Sequence, residues 1–152
     1  MSALDTRLAA AHAEVKAEIA RTDNKTGLLL AFVGVLLAGV WTVAKDIPLP
    51  VAAYVVGGAG VVLLVAAAAV LLRAVRPNLG GDRPVGFPRW ATLTADEVRS
   101  ELAEERRAQH IAELSRIAVV KFAGLRRAVD LTCVAGVLLI VAAVIAVGGA
   151  LA

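Results

Sequence analysis

Three long uncharged runs alternate with polar segments along the chain. They cover Thr26–Ala44, Val51–Leu72 and Leu131–Ala152, and none contains Asp, Glu, Lys, Arg, His, Asn or Gln. A helix of the first run's length covers roughly 28 Å, close to the thickness of a bilayer's hydrocarbon core. The pattern therefore predicts an all-α integral membrane protein with three transmembrane helices, at 26–44, 51–72 and 131–152. Because Pro48 and Pro50 interrupt the short link between the first two, those spans form a hairpin over 26–72.

Residues 1–25, before the first span, predict an amphipathic helix on the cytosolic side. Its apolar side chains recur at helical spacing, at Leu4, Leu8, Ala11, Val15 and Ile19. We expect this stripe to pack on a second cytosolic helix. The lipid headgroup layer is the alternative partner.

Residues 73–130 predict a cytosolic insert between the second and third spans. Proline and glycine make 77–92 an irregular loop. Thr94 and Glu97 have the spacing of a capping box, which predicts that a long helix begins at Thr94 and continues over 94–130. We expect this central helix to pair with the N-terminal one, and the two helices to run unbroken into spans three and one.

Charge distribution predicts the orientation in the membrane. The formal net charge is only +3, from 16 Lys and Arg against 13 Asp and Glu, which argues against a nucleic acid polymer as partner. Basic residues concentrate before span one and in the insert, and these segments lie on the same side. By the positive-inside rule that side is the cytosol, so we expect a multi-pass inner (plasma) membrane protein with its N-terminus cytosolic and its C-terminus outside.

Small residues in the spans indicate close helix packing within the bilayer. Gly57, Gly58 and Gly60 lie on span two, and Gly34 with Ala38 on span one. This packing serves either contacts within one chain or self-association, and we expect a homo-oligomer in contact with the lipid bilayer.

Catalytic chemistry is poorly represented in the sequence. Neither His12 nor His110 has a His, Cys or acidic residue at a spacing typical of metal ligands. The acidic residues of the central helix are typical of a solvated face. No phosphate-binding glycine motif or nucleophile elbow occurs. The spans also lack the ionisable groups that carriers usually place there. We predict neither a catalytic nor a metal site, no enzymatic activity and no cofactor.

Several polar residues beside the spans are candidates for sensing a ligand or coupling helices. Asp23 lies next to span one, where an acid gains nothing from the negative inner leaflet without a partner. A salt bridge to Lys121, Arg126 or Arg127 is one interpretation, and a ligand contact is another. For Lys25 and Lys121 the simplest interpretation is that the amine reaches the headgroup layer.

A weaker set of candidate ligand-binding residues consists of two arginines and a tryptophan. Arg89 and Trp90 in the loop, with Arg116 on the central helix, have the side chains that hold a phosphate and stack on a base. Docking of the loop on a helix or at the headgroup layer is the more common role of such residues, and it is the favoured interpretation of Arg89 and Trp90.

Two strings resemble signatures of a known family. The string RTDNKTGLLLAFVGVLLAG, from Arg21 to Gly39, resembles the opening of the Pycsar effector transmembrane family, in which an Asp-x-Lys-Ala motif runs into the first span. Thr26 stands here in place of the usual small Ala. The string QHIAELSRIAVVK, from Gln109 to Lys121, resembles that family's second motif, a Gln, Leu-Ser and Lys on the helix before the last span.

The resemblance implies a membrane effector of bacterial antiphage defence. In that family a partner cyclase makes a cyclic pyrimidine mononucleotide, cUMP or cCMP, and the effector senses it and impairs the inner membrane, arresting or killing the infected cell. The matching motif positions, with an implied role in ligand sensing or helix coupling, are Asp23, Lys25, Gln109, Leu114, Ser115 and Lys121. The alternative function is a structural or scaffolding membrane protein whose cytosolic helices bind a protein partner.

Overall fold

A computed structural model describes residues 3–46, 48–76, 87–103 and 107–150. Within these ranges the regular structure is entirely helical. The helices are α1 (Ala3–Asp46), α2 (Val51–Val75), α3 (Phe87–Trp90), α4 (Ala95–Ala103) and α5 (Arg107–Ala150).

The two long helices, α1 and α5, confirm the predicted architecture. Each is 44 residues long and passes without a break from a charged segment into an uncharged one. Together with α2 they are the three described helices long and apolar enough to cross a membrane. The all-α membrane fold with three spans is therefore confirmed, including the continuous helices that lead into spans one and three.

The helix ends differ from the sequence pattern in detail. α2 continues to Val75, three residues past Leu72, where the uninterrupted uncharged run ends at Arg73. A single helical turn, α3, occupies 87–90 within the segment predicted to be irregular, while 77–86 lie outside the described residues. Residues 104–106 also lie outside them, so the structure describes the predicted helix 94–130 as α4 and α5 separately. The proposed domain limits at 25, 72 and 130 stay predictions.

The chain divides into two compact units. One contains Met1–Glu18 and Arg76–Ala118 and is called the polar unit below; the other contains Ile19–Val75 and Val119–Ala152 and is called the membrane unit. The polar unit groups the N-terminal part of α1 with the first part of α5. The predicted pairing of the N-terminal and central helices is thus confirmed.

The core of the membrane unit lies where its three helices meet. Val33 on α1, Leu64 on α2 and Ala135 on α5 are completely buried and pack together. Most other large side chains of these helices are exposed, for example Val62 and Val144. An exposed apolar surface around a small packed core is what a bilayer requires, because lipid covers the outer faces.

Small residues allow α2 and α5 to approach closely. Gly60 is buried, and a Cβ atom built there would lie 3.1 Å from Leu139 Cγ and 3.2 Å from the Ala135 carbonyl oxygen. At Gly57, one turn earlier, it would lie 3.4 Å from Ala142 Cβ, which is ordinary contact. The backbone of α2 therefore packs directly on α5 at Gly60, as the small-residue pattern predicts for contacts within one chain.

A short connection in the polar unit joins α3 to α4. The backbone amide of Thr92 donates to the Arg89 carbonyl at 2.9 Å, and that of Leu93 to the Trp90 carbonyl at 3.2 Å. α4 then begins with the predicted capping box. The Thr94 amide donates to Glu97 Oε2 at 2.8 Å, and the Glu97 amide donates to Thr94 Oγ1 at 3.4 Å.

The capping box makes a testable prediction about Glu97. Its pKa lies below the ordinary value of 4.5, because the Thr94 amide and then the Thr94 hydroxyl donate to the carboxylate. The cap is therefore fully formed above pH 4.5 and is lost as the pH falls through the lowered folded-state pKa. We expect the Thr94 amide resonance to titrate with a midpoint below 4.5 in an NMR pH series. In Thr94→Val, which keeps only the amide donor, the midpoint should move toward 4.5; a wild-type midpoint at or above 4.5 would contradict the prediction.

Candidate functional site

An ion pair joins the two motif-bearing helices in the membrane unit. Lys121 Nζ on α5 donates to Asp23 Oδ1 on α1 at 2.6 Å, across 98 positions of sequence. The side chain of Lys121 is 24% exposed and that of Asp23 is 46% exposed. The candidate partners of Asp23 in the sequence are Lys121, Arg126 and Arg127, and in the structure the partner is Lys121. The salt-bridge interpretation of Asp23 is therefore confirmed.

The contact between Asp23 and Lys121 follows from which faces of α1 and α5 are buried. On α1, Thr22 and Thr26 are buried and continue toward Val33 in steps that suit a packed face. On α5, Leu125 and Ala128 continue the same kind of face from Lys121. Lys121 therefore lies on the packing face of α5, and Asp23 lies beside the packing face of α1.

Buried threonines on the packing faces of α1 and α5 form hydrogen bonds to backbone carbonyls of their own helix. Thr26 Oγ1 donates to the Thr22 carbonyl at 2.8 Å, and Thr132 Oγ1 donates to the Ala128 carbonyl at 2.8 Å. Such bonds let a small polar side chain pack against another helix without an unpaired group. The position at which the chain has Thr26 instead of Ala is thus a tightly packed one. The four-residue spacing of Thr22 and Thr26 places both on one face of α1, and this spacing could have predicted their burial from the sequence. Neither threonine was predicted to be buried.

Lys25, the second residue of the first motif, is exposed on α1. The remaining motif residues lie in the polar unit. Gln109 is exposed near the start of α5, and Leu114 is half-buried. Ser115 is also half-buried, and its hydroxyl donates to the Ile111 carbonyl at 2.7 Å. The structure thus brings together Asp23 and Lys121 from the two motifs, and a ligand-sensing role for any of these residues stays a prediction.

The weaker candidate set is centred on α3. Arg89 Nε donates to Glu101 Oε2 at 2.8 Å, and the Glu101 side chain is only 17% exposed. Trp90, the next residue of α3, is exposed, and Arg116 is exposed on α5. Arg89 therefore has a protein carboxylate as partner in this structure. The sequence reasoning had assigned Glu101 to a solvated face, and no local signal links residues twelve positions apart.

A groove opens on the membrane unit at the end opposite the ion pair. It has a volume of about 670 Å³ and is lined by all three long helices, including Val40, Tyr54, Gly57 and Ala146. Its lining is almost entirely apolar. Such a groove suits hydrocarbon better than a charged nucleotide. Among the described residues, no three His, Cys, Asp or Glu side chains are grouped as a metal ion would require.

Comparison with known proteins identifies the family. The family model of the Pycsar effector protein domain matches residues 7–148, nearly the whole chain. No curated protein and no solved structure matches the chain. The chain therefore belongs to the Pycsar effector family, as the two motifs around Asp23 and Lys121 indicated. This membership, with three described helices long and apolar enough to cross a membrane, makes it a membrane effector in antiphage defence.

Proposed function

We propose that this effector senses a cyclic pyrimidine mononucleotide, cUMP or cCMP, on the cytosolic side and impairs the inner membrane of the infected cell. The observation that carries the proposal is the family match over residues 7–148. The consequence for the cell is arrest or death before the phage completes its cycle. A partner cyclase supplies the nucleotide, and the effector acts as a homo-oligomer in the bilayer.

The helices offer a direct route from ligand to membrane. α1 and α5 each contribute residues to the polar unit and to the membrane unit without interruption. A ligand that favours a different pairing of these helices shifts the equilibrium between two arrangements of the spans. Both helices also have many exposed apolar side chains in their spanning parts, which other copies or lipid can cover.

Dye release from vesicles tests this function. The purified protein is reconstituted in liposomes loaded with a self-quenched dye, and its orientation is checked by protease protection. We expect release on addition of cUMP or cCMP, and none with cAMP or with linear UMP, which keeps the base but lacks the cyclic phosphodiester. Protein-free liposomes control for nonspecific leakage.

The negative result is equally informative. If folded and correctly oriented protein releases no dye with either cyclic pyrimidine, the sensing and membrane-impairing functions are wrong for this chain. Capture of a defined cytosolic protein by the polar unit would then favour the scaffolding function.

A further inference from the structure

Lys121 is the exception on an otherwise apolar packing face. In the membrane unit, the face of α5 that meets α1 and α2 continues in steps of three or four residues through small and apolar positions. These are Leu125, Ala128, Thr132, Ala135, Leu139 and Ala142, all buried or half-buried. This spacing has the 3.5-residue period of helices that pack along their length. A cation on such a face needs a partner, and Asp23 provides it at 2.6 Å.

A polar pair in an apolar seam has a specific consequence for helix pairing. It stabilises the register in which its two members meet, because a shift along the seam separates Lys121 from its counter-ion. The same pair makes the seam easier to open than an apolar contact, because another charged group can replace either member. Asp23 is 46% exposed, so the carboxylate is accessible to solutes.

The local charge favours an anion as the competing group. Arg21 and Lys25 lie two positions either side of Asp23 on α1, and Arg126 and Arg127 lie five and six positions after Lys121 on α5. Asp23 is thus the resident anion of a basic region. A phosphate oxygen accepts hydrogen bonds from lysine as a carboxylate does, and the three donors of Lys121 allow a phosphate to engage before Asp23 leaves.

We propose that the Asp23–Lys121 ion pair is the resting-state lock of the effector, opened when the phosphate of an anionic ligand replaces Asp23 as the partner of Lys121. The consequence of opening, leakage of the membrane, rests on the proposed function. The phosphate can belong to a free cyclic nucleotide or to the headgroup of an anionic lipid.

Ligand-free leakage of Asp23→Asn tests the lock. We expect dye release about two- to tenfold faster than wild type without any nucleotide, since the partner of Lys121 is lost. Asp96→Asn is the matched control, because it breaks the Asp96–Arg99 pair of 2.7 Å on exposed α4 side chains. Its release should equal that of wild type. Ligand-free Asp23→Asn vesicles as tight as wild type would overturn the proposal.

Exchanging the charged residues at positions 23 and 121 distinguishes loss of the ion pair from general loss of structure. The double variant Asp23→Lys with Lys121→Asp re-forms an ion pair of opposite polarity, so its ligand-free vesicles should be tight again. An exchanged variant that leaks like Asp23→Asn despite wild-type helicity and elution volume would refute the lock.

A reversible cross-link gives a second, independent measurement. Asp23→Cys and Lys121→Cys, in a Cys133→Ser background, can be joined by a short bifunctional thiol reagent that reduction cleaves. We expect the joined protein to retain the dye, and to leak without any nucleotide once reductant cleaves the link, because the two cysteines form no ion pair. Leakage by the joined protein would contradict the proposal.

The source of the phosphate is resolved by the vesicle composition. Release from wild type that needs cUMP or cCMP in pure phosphatidylcholine identifies the free nucleotide, whereas release on adding phosphatidylglycerol alone identifies the headgroup. If Asp23→Asn leaks without ligand but neither phosphate opens wild type, phosphate competition is wrong while the restraining ion pair stands. If a nucleotide opens wild type but Asp23→Asn is tight, the proposed function stands and the lock is wrong.

Discussion

Gly60→Leu is expected to separate α2 from α5. Even a Cβ atom at this position would lie 3.2 Å from the Ala135 carbonyl oxygen, which belongs to a rigid helical backbone. A leucine adds three more carbon atoms in the same direction, so the two helices must move apart. Overpacking of this kind costs about 1–3 kcal/mol in soluble cores. We expect a cost at the upper end of that range, about 3 kcal/mol, because the obstacle includes the Ala135 carbonyl of the α5 backbone as well as the Leu139 side chain.

The measurement is SDS titration of the protein in mixed micelles, followed by tryptophan fluorescence. Gly60→Leu should unfold at a clearly lower SDS fraction than wild type. Gly58→Leu is the matched control, because it adds the same side chain two positions away, where nothing lies within 4 Å of a Cβ atom. Gly60→Ala should fall between them, since the Leu139 side chain can shift. Equal unfolding of the Gly60→Leu and Gly58→Leu variants would show that the close approach does not exist.

The spans and the long helices could be predicted from the sequence because they depend on local pattern. An uncharged run long enough to cross a bilayer forms a helix, because a helix satisfies all backbone hydrogen bonds within the segment. The absence of proline from the segments entering spans one and three predicted their continuity, and the capping box at Thr94 and Glu97 was visible as a three-residue spacing. These features need no knowledge of distant residues.

The ion pair could be predicted only as a set of alternatives. An acid beside a span requires a cation, which gave Lys121, Arg126 and Arg127 as partners for Asp23. The choice among them depends on which face of α5 packs on α1, and this phase is set by contacts such as Val33 with Ala135 far along the helices. The Arg89–Glu101 pair had no such sequence signal, because it depends on a connection between α3 and α4 that the pattern marked only as irregular.

Leu64→Ala is expected to weaken the core of the membrane unit. Leu64 is completely buried and packs between Val33 of α1 and Ala135 of α5. In soluble proteins a Leu→Ala cavity costs about 2–5 kcal/mol, from lost transfer free energy and lost packing. In a bilayer the separated helices remain in hydrocarbon, so the transfer part largely disappears and the packing part remains. We therefore expect a loss of about 1–3 kcal/mol.

The comparison with Val65→Ala isolates that packing contribution. Val65 is the next residue of α2, is exposed on the lipid-facing side and also loses methyl groups on substitution to alanine. In the same SDS titration Val65→Ala should unfold close to wild type, while Leu64→Ala unfolds earlier. If both variants shift equally, the three-helix contact around Leu64 contributes no more than a lipid-facing side chain does. If Leu64→Ala alone shifts, the membrane unit is held by packing among α1, α2 and α5, and a ligand acting on α1 and α5 must work against that packing to move the spans.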